Sequence, residues 1–190
     1  MAQDLTARVQ SARPHWRRPA CERVTLSADD LTAADYVSRI HGQALRRMVA
    51  TFGWPGRSLV GDAGSRAAVE IALHCDHDPP FQRTLLRLLH AAVTAGEAEP
   101  AQWARLFDRC RVRTGKAQVY GTQHWYRPDG QFFPHPIEAP EGLAQRRAQV
   151  GLAPYELCVE RLRRCHIASA PCAMPLATAE PALIAEGCAA

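Results

Sequence analysis

A mainly α-helical fold, a compact bundle of about five helices carrying one small β-hairpin, is predicted for this 190-residue chain by three observations. Apolar residues recur at three- and four-residue spacing through most of residues 31–110, the period of a helix face. Breakers and capping residues separate those runs at the right places. Only at Gln118–Tyr126 does the texture change to alternating β-formers.

The elements follow in order. Residues 1–20 are polar and basic, with Pro14 and Pro19 as breakers, and read as a flexible N-terminal arm. A first core helix is expected from Leu31–Thr32, capped by Asp30 or Thr32, with Tyr36, Ile40, Leu45, Met48 and Val49 on its buried side. It stops before Gly53-Trp54-Pro55-Gly56. A second helix runs from about Asp62 to His74, with Ala63, Ala67, Ile71 and His74 on one stripe. A third opens at Asp78-Pro79-Pro80, because Asp caps well and Pro suits the first turn. Phe81, Leu85, Leu88, Leu89 and Ala92 form its apolar face, and Gly96 closes it. A fourth starts near Pro100 and carries Trp103, Leu106, Phe107 and Cys110. Gln118–Tyr126 and Gln131-Phe132-Phe133 flank a turn at Arg127-Pro128-Asp129-Gly130, which predicts the hairpin. A last helix covers Pro154 to Cys165. The expected division is an arm at 1–20, a single globular domain at 21–165, and an Ala/Pro-rich tail at 166–190.

Composition narrows the function classes. The net charge of +4 is too mild to demand a nucleic-acid partner. No run of about 18 apolar residues suggests a membrane span. Seven cysteines, an odd count without a Cys-x-x-Cys pair, fit free thiols in a cytoplasmic protein better than a disulfide framework. The richness in Ala and Arg suggests a bacterial coding bias, with specialised metabolism as an expected setting.

The residues with the most chemistry are His74, Asp76, His77 and Asp78. On a continuing helix His74, His77 and Asp78 share a face, being three and four apart. Such a face can do acid–base work, with a carboxylate orienting an imidazole that titrates near neutrality. It can also hold a divalent zinc or iron ion, for which His124 and His135 are the further ligand candidates. Against both stands a structural reading: Asp78 caps a helix, His74 is a core histidine and His77 is solvated. Cys75 adds a nucleophilic Cys/His reading, opposed by the fact that neighbours on a helix point apart. On an extended strand Gln118, Tyr120 and Thr122 project together with Lys116, a row able to bind a polar or anionic ligand. An ordinary amphipathic hairpin explains the same row. Arg109 either pairs with Asp108 or grips an anionic substrate. The Trp54 loop either covers a cleft or acts as a rigid connector.

Four strings stand out together: GWPGRSLVG, HCDHDPPFQ, FDRCRVRTGKAQVYGTQ and RRAQVGL. In combination they resemble an uncharacterised bacterial family, a domain of unknown function, over roughly residues 53–152. The resemblance implies that His74, Asp76, His77, Asp78, Gln82, Asp108, Arg109, Lys116, Gln118, Tyr120 and Gln123 match motif positions. It implies no activity. His124 and His135 fall outside the pattern, and Cys75 sits at a variable position in it.

The functional expectation is a small enzyme using His/Asp acid–base chemistry on a small polar or anionic substrate, by hydrolysis, elimination or cyclisation. His77 or His74 acts as base, Asp78 or Asp76 orients it, and Gln82, Gln118, Tyr120 and Gln123 bind substrate. Arg109 or Lys116 neutralises developing charge. No cofactor is favoured. A metal-dependent hydrolase or oxygenase at His74, His77 and Asp78 is one alternative, and a non-enzymatic binding or immunity-type module is the other.

Overall fold

The computed structural model describes residues 1–16, 26–127 and 131–167. They form a mainly helical fold with one two-stranded antiparallel hairpin, as expected. The helices are α1 (Ala2–Trp16), α2 (Ala28–Phe52), α3 (Arg57–Leu73), α4 (Pro79–Thr94) and α5 (Pro100–Arg113). Strands β1 (His124–Tyr126) and β2 (Phe132–Pro134) follow, with Trp125 opposite Phe133. Helices α6 (Leu143–Gln149) and α7 (Tyr155–Ile167) complete the described chain.

The first departure from expectation is at the N-terminus. Residues 2–16, read as part of a flexible arm, are the helix α1, and Leu5, Val9, Ala12 and Trp16 are buried in the core. These positions are four, three and four apart, one stripe of a helix. Pro14 lies inside the last described turn of α1, and the helix runs past it to Trp16. Helix α1 lies chiefly against α3 and also touches α2. Residues 17–25 and most of the proposed tail, from 168 on, lie outside the described residues.

Helix α2 begins earlier than expected, under a capping box. Ser27 accepts from Asp30 N, and the Asp30 carboxylate reaches back to Ser27 N. Its buried side is His41, Gly42, Ala44 and Leu45. Tyr36 and Ile40, assigned to the core from the sequence, are exposed at 64% and 36%. The period was right, but the inward direction was displaced around the helix. Gly42 brings α2 close to the α3–α4 junction: a Cβ there would lie 3.1 Å from Cys75 Sγ and 3.3 Å from His77 Cε1.

The Gly53–Gly56 loop serves as the connector between α2 and α3. Pro55 is buried and Trp54 packs on the core. Glu97 closes the start of α3, accepting from Ser58 N at 2.7 Å. Helix α4 starts where predicted: Asp78 accepts from Phe81 N at 3.0 Å and Pro79-Pro80 form the first turn. Phe81, Leu85, Leu89 and Ala92 are buried along it. Among the described residues no helix is long and apolar enough to cross a membrane.

Candidate functional site

Helix α3 ends at Leu73, so His74–Asp78 is a turn and not the helical face expected from the spacing. The Asp78-Pro79-Pro80 start of α4 leaves no room for α3 to continue, since a Pro cannot donate into a preceding turn. The four polar side chains therefore point to different partners. His74 caps α3 and its ring stacks on Trp16, with centroids 4.1 Å apart and planes within 5°. Asp78 caps α4 with one oxygen and meets Arg46 with the other. Asp76 faces α5, where Arg109 Nε donates to Oδ1 at 3.0 Å and the other arm of the guanidinium meets Oδ2. This is a two-point grip of the kind the planar guanidinium favours. Gln82 Nε2 supports Asp76 Oδ1 at 3.2 Å and also bonds Ala72 O at 3.1 Å. His77 is half-buried, and its Nδ1 is buried with no hydrogen-bond partner.

The second segment also differs from expectation. Residues 118–123 are not a strand, so Gln118, Tyr120 and Thr122 form no common row. They wrap around Asp108, whose carboxylate is fully buried. Val119 N (2.7 Å), Tyr120 N (3.1 Å), Thr122 N (3.1 Å) and Thr122 Oγ1 (2.9 Å) all donate to it. The carbonyls of the same loop go to α6. Arg146 Nε donates to Val119 O at 3.0 Å, and the buried Arg147 donates to Tyr120 O at 2.5 Å. The loop's backbone polar groups are thus paired without a sheet, which is what burial of an irregular segment demands. Gln118 is fully buried as a strut, bonding Gln123 N and O and His135 O. Tyr120 packs edge-on against Trp103 and Phe107. Asp108 holds the loop instead of pairing with Arg109.

The loop delivers Gln123, whose Oε1 accepts from Arg109 at 3.4 Å. A cavity of about 630 Å³ is lined by His74, Asp76, His77, Arg109, Gln123 and Trp16. Five candidate residues from three separate segments therefore meet. Ser38, which accepts from Trp16 Nε1 at 3.1 Å, and His15 also line it. Sequence reasoning missed these three. The α1 stripe ending at Trp16 was the available signal. Lys116 does not reach this cavity; it lies in a groove between α4 and α5.

Two other sequence readings fail on geometry. Cys75 is fully buried, donates to Ile71 O at 3.3 Å, and is pushed up to about 12 by burial, so no thiolate is available. For a metal, Asp78 is committed to Phe81 and Arg46, and His74 to a ring stack. Among the described residues no group of three or more His, Cys, Asp or Glu is placed to hold one. The further ligand candidates have their own surroundings: His124 stacks near Tyr155, with Nε2 buried and unpartnered.

Three histidines, His41, His124 and His135, make stability depend on pH, the last lowered by burial and by Arg109. Burial, reinforced by His135 and Arg147, pushes His124 down to about 4; burial and Arg8 also lower His41. Each takes up its proton at lower pH in the folded chain than in the unfolded chain, where protons bind near pH 6.5. The unfolded state therefore binds more protons, and stability must fall with pH from about 6.5 toward 4. Melting temperatures measured between pH 8 and 4 should drop below 6.5, and less steeply for His124→Phe. Parallel curves for the two proteins would refute the assignment to His124.

Fold and cavity together define a small helical domain in which an ion-paired Asp76 and a His77 with an unpartnered Nδ1 share one cleft. The chain belongs to a family of unknown function (DUF6624), whose model matches residues 1–167. No curated protein and no solved structure matches it.

Proposed function

We propose that this protein is a small cytoplasmic enzyme acting by general acid–base chemistry at His77 on a small polar or anionic substrate. The observation that supports this is the unpartnered His77 Nδ1 beside a cavity that also carries Asp76, Arg109 and Gln123. A cavity of this size suits a metabolite-sized ligand. In this reading His77 moves the proton. Arg109 has one edge held by Asp76 and so presents a fixed cation to an anionic group or to charge developing in the reaction. Gln123 and Ser38 supply neutral polar contacts, and Trp16 with His74 forms a flat aromatic wall. Asp78 is a capping residue and takes no part. Hydrolysis, elimination and cyclisation all use these groups.

The test begins with a thermal-shift screen of small carboxylates and phosphate esters, followed by NMR detection of turnover for each hit. Loss of an acid–base group typically costs about 10²–10⁴-fold in rate, so His77→Gln should lose at least about a hundredfold in kcat while still binding. Full turnover in His77→Gln would end the acid–base proposal.

A second reading, a non-catalytic binding module, draws on the fact that Asp76 and Asp78 are both neutralised by arginines. It expects ligands that shift the melting temperature and are recovered unchanged.

A further inference from the structure

The groove that holds Lys116 is a site in its own right. It lies between α4 and α5, encloses about 320 Å³, and is lined by Arg83, Arg111, Arg113 and Lys116 with Leu86 and Phe107 as apolar walls. No carboxylate lines it. Four cations thus surround a small volume in a chain whose net charge is only +4. Like charges at such distances repel, and an anion between them relieves the repulsion.

Local structure accounts for part of the cluster. Arg111 and Arg113 lie in the last turn of α5, where the helix dipole favours cations. Arg111 also binds Ala117 O at 2.6 Å and meets Glu138; Arg113 approaches Asp76 to 3.9 Å. The dipole does not account for Arg83, which lies in the second turn of α4, nearer the positive end of that helix. Nor does it account for Lys116, which lies beyond Gly115 and outside α5. Neither has an acidic partner among the described residues. Both are exposed side chains over an apolar floor of Leu86 and the half-buried Phe107, whose ring stacks on Trp103 and carries the Arg111 guanidinium over it.

We infer that this groove binds a phosphate monoester with an aromatic body, the phosphate meeting Arg83 and Lys116 and the ring lying against the apolar wall of Leu86 and Phe107. Cations suit the dianion, and the apolar walls give the organic part a place that free phosphate would leave empty. The site is separate from the His77 cavity, but they share a wall. Gln82 lines the groove and bonds Asp76, and Arg113 lines the groove and approaches Asp76. Ligand in the groove therefore acts on the same carboxylate that holds Arg109.

Titration calorimetry with phenyl phosphate tests this on the full chain, with inorganic phosphate and phenol as the comparison probes. Saturable binding is expected at or below about 1 mM, weaker for inorganic phosphate and absent for phenol. The Arg83→Gln/Lys116→Gln double variant should weaken it at least about tenfold, a loss of about 1.4 kcal/mol. His77→Gln should leave it unchanged. Should the double variant melt early, Lys116→Gln alone gives the same comparison. Four outcomes would each overturn the inference: no saturable binding, phenol binding as well as phenyl phosphate, affinity unchanged in the groove variants, or affinity lost in His77→Gln.

Discussion

Asp108→Ala should lower the melting temperature by about 8–16 °C. The carboxylate is fully buried and takes three backbone N–H groups and one hydroxyl from Val119, Tyr120 and Thr122. Alanine leaves those donors without an acceptor, and each buried orphan costs about 1–3 kcal/mol. Water entering the space relieves part of this, so the net cost is on the order of 4 kcal/mol. At about 2–4 °C per kcal/mol for a chain of this size, the shift follows. Asp108→Asn should fall between, because it keeps one oxygen but turns a second donor toward N–H groups that already donate. Hydrogen exchange adds a local readout: the Val119, Tyr120 and Thr122 amides should lose protection before the amides of α4. The loop also carries Gln123, so ligands of the His77 cavity should bind more weakly in the variant. A melting temperature within about 2 °C of the parent would mean that Arg146 and Arg147 hold the loop alone.

Leu5→Ala should cost about 2–5 kcal/mol, the range for emptying a fully buried leucine site. The corresponding fall in melting temperature is about 4–20 °C. Leu5 is completely buried in the core stripe of α1. The control is Arg8→Ala on the same helix: Arg8 is partly exposed and pairs with Asp4 one turn away. An exposed pair of that kind is worth under about 1 kcal/mol. The contrast distinguishes a packed helix from a loosely attached arm, in which both changes would be silent. Loosening α1 also moves Trp16, which stacks on His74 and lines the cavity. Ligand binding there should weaken along with stability.

The ease of reading each part of the chain follows from the range of the interactions that decide it. The start of α4 was legible because its signal is local: an Asp cap and two prolines suffice. The order of α2 to α5 was legible from period and breakers. The N-terminal helix was not legible because Pro14 and Pro19 signal a break beside an apolar stripe of only four residues. Pro14 stands near the end of α1, where few backbone bonds follow it. Helix α6 was not legible because, beside the single buried Leu143, its inward contacts are the guanidinium groups of Arg146 and Arg147, which look like a solvated charge run in sequence.

The same division runs through the candidate site. The sequence by itself determined that the chain is mainly helical with one hairpin, and that His74–Asp78 and Arg109–Gln123 hold its most chemically capable groups. Those conclusions rest on short-range rules: capping, periodicity and side-chain type. Only the tertiary structure decided which groups are already occupied. A carboxylate looks the same in sequence whether it caps a helix like Asp78, grips an arginine like Asp76, or ties a loop like Asp108. Partners 30 or more residues away settle two of those roles: Arg46 lies 32 residues from Asp78, and Arg109 lies 33 from Asp76. The cluster at 74–78 is therefore a turn and not a helical face: Asp78 caps α4, while His74, Asp76 and His77 line one cavity.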